Sequence, residues 1–246
     1  MFVNGVHVQT RNDVTIKHLD LRYWGPHGIL TYTGHDRIIE DNDFSWIGAG
    51  TSGQPLGNGI ELSVSGDTIV RNNRIDRCCG AGMSTINSST GNAQSNISFY
   101  GDVVSRCEYG FGAQTPYAAD TDDVEVTDNV FYNMSDTVWH DYRDTKCMGL
   151  QSWSPHGAAT NCLFNGNIVH GSVHSHVRKP VDGWACEGNR YYPDSSSMFR
   201  TYNSFSGNFA AWKAAGHDTT GSLISAVTGT DEEKIAALVE RLQTTD

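Results

Sequence analysis

The sequence has little charge, few lysines and no long apolar run. Charged residues make up 18% of the chain, against about 25% in ordinary globular domains. That excludes a coiled coil or a protein of long, charged helices. Only five residues are lysine, and 17 basic against 28 acidic residues leave a formal charge of −11. No general cationic surface is therefore available for nucleic acid or an anionic membrane. No stretch reaches the ~18 continuous apolar residues of a membrane span, and the opening MFVNGVHVQT lacks the basic-then-apolar order of a leader. Membrane insertion is not expected. The six cysteines include no CxxC pair, which argues against a zinc ribbon.

What is abundant is glycine, at 26 of 246 residues, above the usual ~7%. Much glycine with little charge points to a turn-rich β protein, and the length suffices for a substantial core. Internal repeats explain both. VTIKHLDL (14–21), RIIEDNDF (37–44), TIVRNNRI (68–75), ISFYGDVV (97–104), VEVTDNVF (124–131), CLFNGNIV (162–169) and WACEGNRY (184–191) align without a gap. Their sixth position reads Leu19, Asn42, Asn73, Asp102, Asn129, Asn167, Asn189. A polar column inside apolar repeats demands partners, and stacking coils about 4.8 Å apart lets side-chain amides bond to one another.

Between these copies lies a second family: GVHVQT (5–10), GILTYT (28–33), GIELSV (59–64), GMSTIN (82–87), GFGAQT (110–115) and, with Cys for Gly, CMGLQS (147–152), followed by HSHVRK (174–179). Each repeat thus holds three short strands. The pattern over about residues 2–200 resembles the right-handed parallel β-helix, or pectin-lyase-like, superfamily. The fold expected is all-β, a solenoid of about seven coils with an Asn ladder, spanning 1–205. Residues 206–246 are expected to form a helical cap, with helices in NFAAWKAAG (208–216) and TDEEKIAALVERLQ (230–243), the latter opened by Thr230 and Glu233 at capping-box spacing. Residues 2–9 already read as a strand from inside a coil, so preceding coils of a longer chain are expected. Cys78 and Cys107 each lie five residues past the ladder and should stack, either as a disulfide or as a thiol pair. WGPHG (24–28) and WSPHG (153–157) read as turn chemistry rather than as catalytic His27 and His156, and His174 with His176 lack a third metal ligand.

The resemblance implies that substrate lies along the sheet of Gly-started strands. Outward positions there are expected to be His7 and Gln9, Leu30 and Tyr32, Glu61 and Ser63, Ser84 and Ile86, Gly112 and Gln114, Gly149 and Gln151, and His176 and Arg178. The loop 132–146 should form a wall beside Gln114, Gln151 and Arg178, bringing Trp139, His140, Asp141, Tyr142, Arg143, Asp144 and Lys146 near Lys179. The function expected is a secreted or cell-surface, carbohydrate-active protein whose partner is a polysaccharide or oligosaccharide. The lead reaction is β-elimination on a uronate polymer. Arg178, His140, Lys146 and Arg143 would neutralise the carboxylate and move protons, and Trp139, Tyr142, Gln114, Gln151, His176, Lys179 and Glu61 would bind sugar. Calcium held by Asp141 and Asp144 is an added expectation from the resemblance. Glycoside hydrolysis, which needs two carboxylates, and a noncatalytic glycan-binding or phage-tail module are the alternatives.

Overall fold

The computed structural model describes residues 4–48, 57–86, 94–114, 121–134, 148–153, 159–172, 175–179, 183–201 and 205–244. Short parallel strands wind so that successive coils contribute to three faces, here A, B and C. Face B stacks Ile16, Ile39, Val70, Phe99, Val126, Phe164 and Cys186 in register. Face C stacks Leu21, Phe44, Ile75, Val104, Phe131, Val169 and Tyr191. Both columns point inward and form one core. They are the columns of the sequence repeat, because a period of two in each strand sends alternate side chains inside.

The corners are made by backbone conformation. Asp13, Asp36, Asp67, Asn96, Asp123, Asn161 and Gly183 all have positive φ before face B. His18, Asp41, Asn72, Gly101, Asp128, Gly166 and Gly188 do so between B and C, and Tyr23, Trp46, Arg77, Arg106, Asn133 and Gly171 as the chain leaves C. The left-handed region disfavours ordinary L-residues by roughly 1–2 kcal/mol and is easiest for Gly, Asn and Asp, which explains their frequency at the first two corners.

Immediately after the B–C corner stands the ladder. Each Asn Nδ2 donates to the side-chain oxygen of the next coil, Asn42 to Asn73 at 2.9 Å, Asn73 to Asp102 at 2.9 Å, Asn129 to Asn167 at 3.1 Å and Asn167 to Asn189 at 3.1 Å. Each backbone N–H does the same, and each Nδ2 also donates to a carbonyl of the preceding coil, such as Ile39 O or Phe99 O. The series ends on Asp218, which accepts from Asn189 and from the Tyr191 hydroxyl. Two coils depart, that of Leu19, which joins only by its backbone N–H to Asn42 Oδ1 at 3.0 Å, and that of Asp102. Its Oδ1 accepts from Asn73, while its Oδ2 has no partner in the place where an Asn would donate. Burial pushes this carboxyl up to about 7, since a buried charge without a compensating donor is costly.

Face A begins at a glycine column. A Cβ on Gly28 would stand 2.7 Å from both Gly59 O and Phe44 Cδ1, and one on Gly110 would stand 2.3 Å from Phe131 Cδ1. The next members are Gly149 and His176, because Leu150 pairs with Phe111 and Val177 with Leu150. The register from Cys147 onward is therefore two residues away from the alignment of CMGLQS with GFGAQT. Gln151 follows Gly112, and Trp153, not Gln151, follows Gln114. His176, expected on the outer face, instead fills the end of the glycine column and is fully buried, its ring 5.4 Å from that of Tyr191.

The tail divides its work. Helix α1, Phe209–Ala214, is capped by Asn208 and packs Phe209 and Trp212 on Phe199, closing the last coil. Helix α2, Asp231–Gln243, carries the expected capping box but is not an end cap. It lies along the outside of face C, where Ile235 and Leu238 cover Val130, Tyr132 and Ile168, and Asp231 bonds to Arg106 and Tyr132. Ser222–Leu223 adds a further strand to face C, so the solenoid continues beyond residue 205. Cys78, Cys79, Cys107, Cys162 and Cys186 are buried and free. The Cys78 N–H donates to Cys107 Sγ at 3.3 Å, so the stack is a thiol pair. Cys147 lies outside the described residues.

Candidate active site

The outer side of face A carries two columns. One runs His7, Leu30, Glu61, Ser84, Gly112, Gln151, Arg178, Arg200, and the other Gln9, Tyr32, Ser63, Ile86, Gln114. Several of these outward residues are nonetheless enclosed. Ser84 is 0%, Gln151 7% and Glu61 9% exposed, so the face is the floor of a recess, with Tyr32 standing out of it at 38%.

Around Glu61 the sequence builds a polar knot from one strand and two turns. Asn58, just before the strand Ile60–Arg71, donates from Nδ2 to Glu61 Oε2 at 2.6 Å and to Ser84 Oγ at 3.0 Å. Its Oδ1 accepts from the Ala81 N–H at 2.7 Å, and its own N–H donates to His27 Nδ1 at 3.3 Å. His27 Nδ1 also lies 3.3 Å from Glu61 Oε2. The turn carrying His27 comes this close because residue 57 is glycine, where a Cβ would fall 1.8 Å from Pro26 O.

At 3.3 Å a charged pair is conceivable, but burial opposes it on both sides. Desolvation raises Glu61 to about 7, against the Asn58 hydrogen bond that favours its anion. Desolvation, helped by nearby His7, lowers His27 to about 4. Between those values both groups are neutral and the proton sits on the carboxyl. The geometry agrees, since Nδ1 already accepts from the Asn58 N–H and the ring proton belongs on Nε2. Such a carboxyl is a proton donor near neutral pH. It was visible in the sequence as the one acid on this sheet, but nothing there placed WGPHG beside it.

Of the other expected site residues, Gln151 and Arg178 lie on the first column, and Arg200, not singled out in the sequence, pairs in register with Arg178. Gln114 lies on the second column. Lys179 does not reach the recess. It follows the inward column of Thr85, Ala113 and Ser152, is 2% exposed, and donates to Trp184 O at 2.7 Å with its ammonium 5.9 Å from the Trp212 ring centroid. Its place, like that of His176, excludes sugar contact from face A. Trp139, His140, Asp141, Tyr142, Arg143, Asp144 and Lys146 lie outside the described residues, and with them the expected calcium ligands. Among the described residues one group, His35, Asp36 and Asp67, brings three ligand atoms within 4.8 Å. All are exposed at the A–B corner, and each is bonded to a neighbour, His35 to Asp36 and Asn12 and Asp67 to Asn96.

The model of the right-handed β-helix region family matches residues 4–183. Among solved structures, the chain is similar to endopolygalacturonase I from Stereum purpureum in complex with two galacturonates, at 15% identity and a TM-score of 0.37, over 91% of this chain and 69% of that one. No curated protein matches the chain in sequence.

Proposed function

The chain belongs to the right-handed β-helix family, and we propose on that premise that it is a carbohydrate-active protein, acting outside the cell or at its surface, which binds a uronate-containing polysaccharide along the recess of face A and cleaves it by β-elimination. One observation carries this reading. In a protein of net charge −11, the sole carboxyl among the described outer positions of face A is held neutral up to about pH 7, and the same column ends in two arginines. A polyanion is steered toward such a surface and away from the rest of the molecule.

The chemistry follows from which groups are present. Elimination takes the proton next to the uronate carboxyl and gives one to the leaving oxygen. Glu61, protonated, supplies the second proton. His7, an exposed imidazole two coils away across Leu30, stands on the same column to accept the first. Asn58 and His27 position Glu61 and keep its proton on oxygen. Leu30 and Tyr32 offer apolar surface to the sugar ring between them, and Arg178, Arg200, Gln151 and Gln114 hold carboxylates and hydroxyls further along. Hydrolysis is the second reading, favoured by the protonated Glu61 alone. It requires a second carboxylate some 5–9.5 Å away, and the described outer positions offer none. The test is to incubate the protein with polygalacturonate and with alginate, following ultraviolet absorbance of the unsaturated product and new reducing ends together. Both signals rising supports elimination. Reducing ends without absorbance means hydrolysis, and neither signal leaves a binding module.

A further inference from the structure

At the corner leaving face C, the first three described coils place Tyr23, Trp46 and Arg77 one above another. The Tyr23 and Trp46 rings are 6.3 Å apart at an interplanar angle of 16°, and the Arg77 guanidinium sits 4.8 Å from the centroid of the Trp46 ring. Tyr23 is 73% exposed, and the adjoining Trp24 37%. Arg77 also pairs with Asp76 at 2.6 Å, and the backbone of this corner does not call for aromatic rings at Tyr23 and Trp46. The three φ values of 58°, 59° and 54° belong to the left-handed region, and later coils fill the same column with Arg106, which pairs with Asp76 and Asp231, and then with Asn133 and Gly171, the types that region suits. Trp46 is only partly buried and Tyr23 hardly at all, so core packing does not account for them either.

The corner leads by the turn 23–28 to His27 of the candidate site. Tyr23 and Trp24 open the turn that delivers His27, and the Trp24 carbonyl accepts from the Gly48 N–H at 2.7 Å, tying that turn to the coil of Trp46. A polymer leaving Glu61 across the edge of face A meets flat π surfaces followed by a guanidinium. Pyranose rings pack their C–H faces on aromatic rings, and guanidinium pairs with carboxylate.

We infer that Tyr23, Trp46 and Arg77 form a stacking subsite for a sugar residue of an acidic oligosaccharide that extends over the corner from the recess. The inference rests on the proposal that face A holds a uronate polymer, and it concerns binding alone. Its test is tryptophan fluorescence titration of the full chain with oligogalacturonates of graded length and with neutral gluco-oligosaccharides, alongside turnover. Tyr23→Ala and Trp46→Ala are each expected to weaken binding of long acidic oligomers by roughly 3- to 10-fold and to leave the shortest bound ones unchanged. Arg77→Gln should weaken acidic but not neutral oligomers. Trp46→Phe should restore most of the affinity lost in Trp46→Ala. Equal affinity of wild type and Tyr23→Ala at every length overturns the inference, and that variant, being 73% exposed, does not threaten the fold. Wild type binding no acidic oligomer overturns it also. Length-dependent binding without any cleavage overturns the proposed reaction and leaves this subsite standing, whereas cleavage indifferent to Tyr23 and Trp46 does the reverse.

Discussion

The Asn column at the B–C corner and the outer face of sheet A are each sampled once per coil, and they behave in opposite ways. In the ladder from Asn42 on, every coil but that of Asp102 repeats the same residue, the same two donors and the same acceptor, and the residues are buried. On face A the equivalent positions read His7, Leu30, Glu61, Ser84, Gly112, Gln151, Arg178, Arg200, with no residue type repeated until the two arginines. Stacking constrains what faces the neighbouring coil and leaves free what faces the recess. Function is therefore to be sought where the repeat fails.

The comparison breaks most sharply on activity. Glu61→Gln is expected to lower kcat/KM by about 10²–10⁴-fold, the range for losing a general acid, without harming the fold. In wild type, kcat/KM should fall as pH rises through about 7, where Glu61 ionises. The same substitution should change stability with a definite sign. A carboxyl whose folded pKa is raised favours folding below its unfolded value near 4.5, and that contribution is lost as pH climbs to 7. Glu61→Gln should thus be more stable than wild type at pH 8 and gain nothing at pH 4, as read from urea midpoints.

Asn129→Ala should do the opposite, destabilising by about 2–5 kcal/mol because it strands Phe99 O and the Asp102 N–H in the core, while any protein that remains folded keeps its turnover number. Asp102→Asn is the sharper test within the ladder. An amide there can donate where Oδ2 now has no partner, so the variant should be stabilised by about 1–3 kcal/mol above pH 7 and lose the wild type's decline between pH 4 and 7. The smallest effect is expected of Lys179→Met. Lys179 lies inside the solenoid, so sugar affinity and turnover should match wild type, whereas Arg178→Ala, on the other side of the same strand, should weaken binding of acidic polymer.

The two regions were also unequally legible. The seven ungapped segments coincide residue for residue with the observed register of faces B and C. A buried ladder and inward apolar columns impose a pattern that sequence must display. On face A the repeat spacing points to Cys147 as the corner residue, whereas the glycine that marks the corner is Gly149, two residues later. His176 and Lys179 look like exposed, functional residues by type, yet the corner column and the period of two turn both inward. The partnership of His27 with Glu61 could not be seen at all. It depends on a turn folding back over residue 57, and no period reports how a non-repeating turn packs.

The ladder also has a direction. Its side-chain amides donate toward the next coil in two runs, Asn42 to Asn73 to Asp102 and Asn129 to Asn167 to Asn189 to Asp218, so within each run the dipoles point head to tail along the axis, each polarising its neighbour. A chain of donors finishes on a group that accepts, and each run here ends on an aspartate, Asp102 in mid-ladder and Asp218, which takes Asn189 and Tyr191, at the last coil. An array extended by inserting coils would tolerate new Asn steps anywhere along its length, but it would still have to finish on an acceptor. In this solenoid the stop signal is written in hydrogen-bond polarity as well as in the apolar lid that covers the last coil.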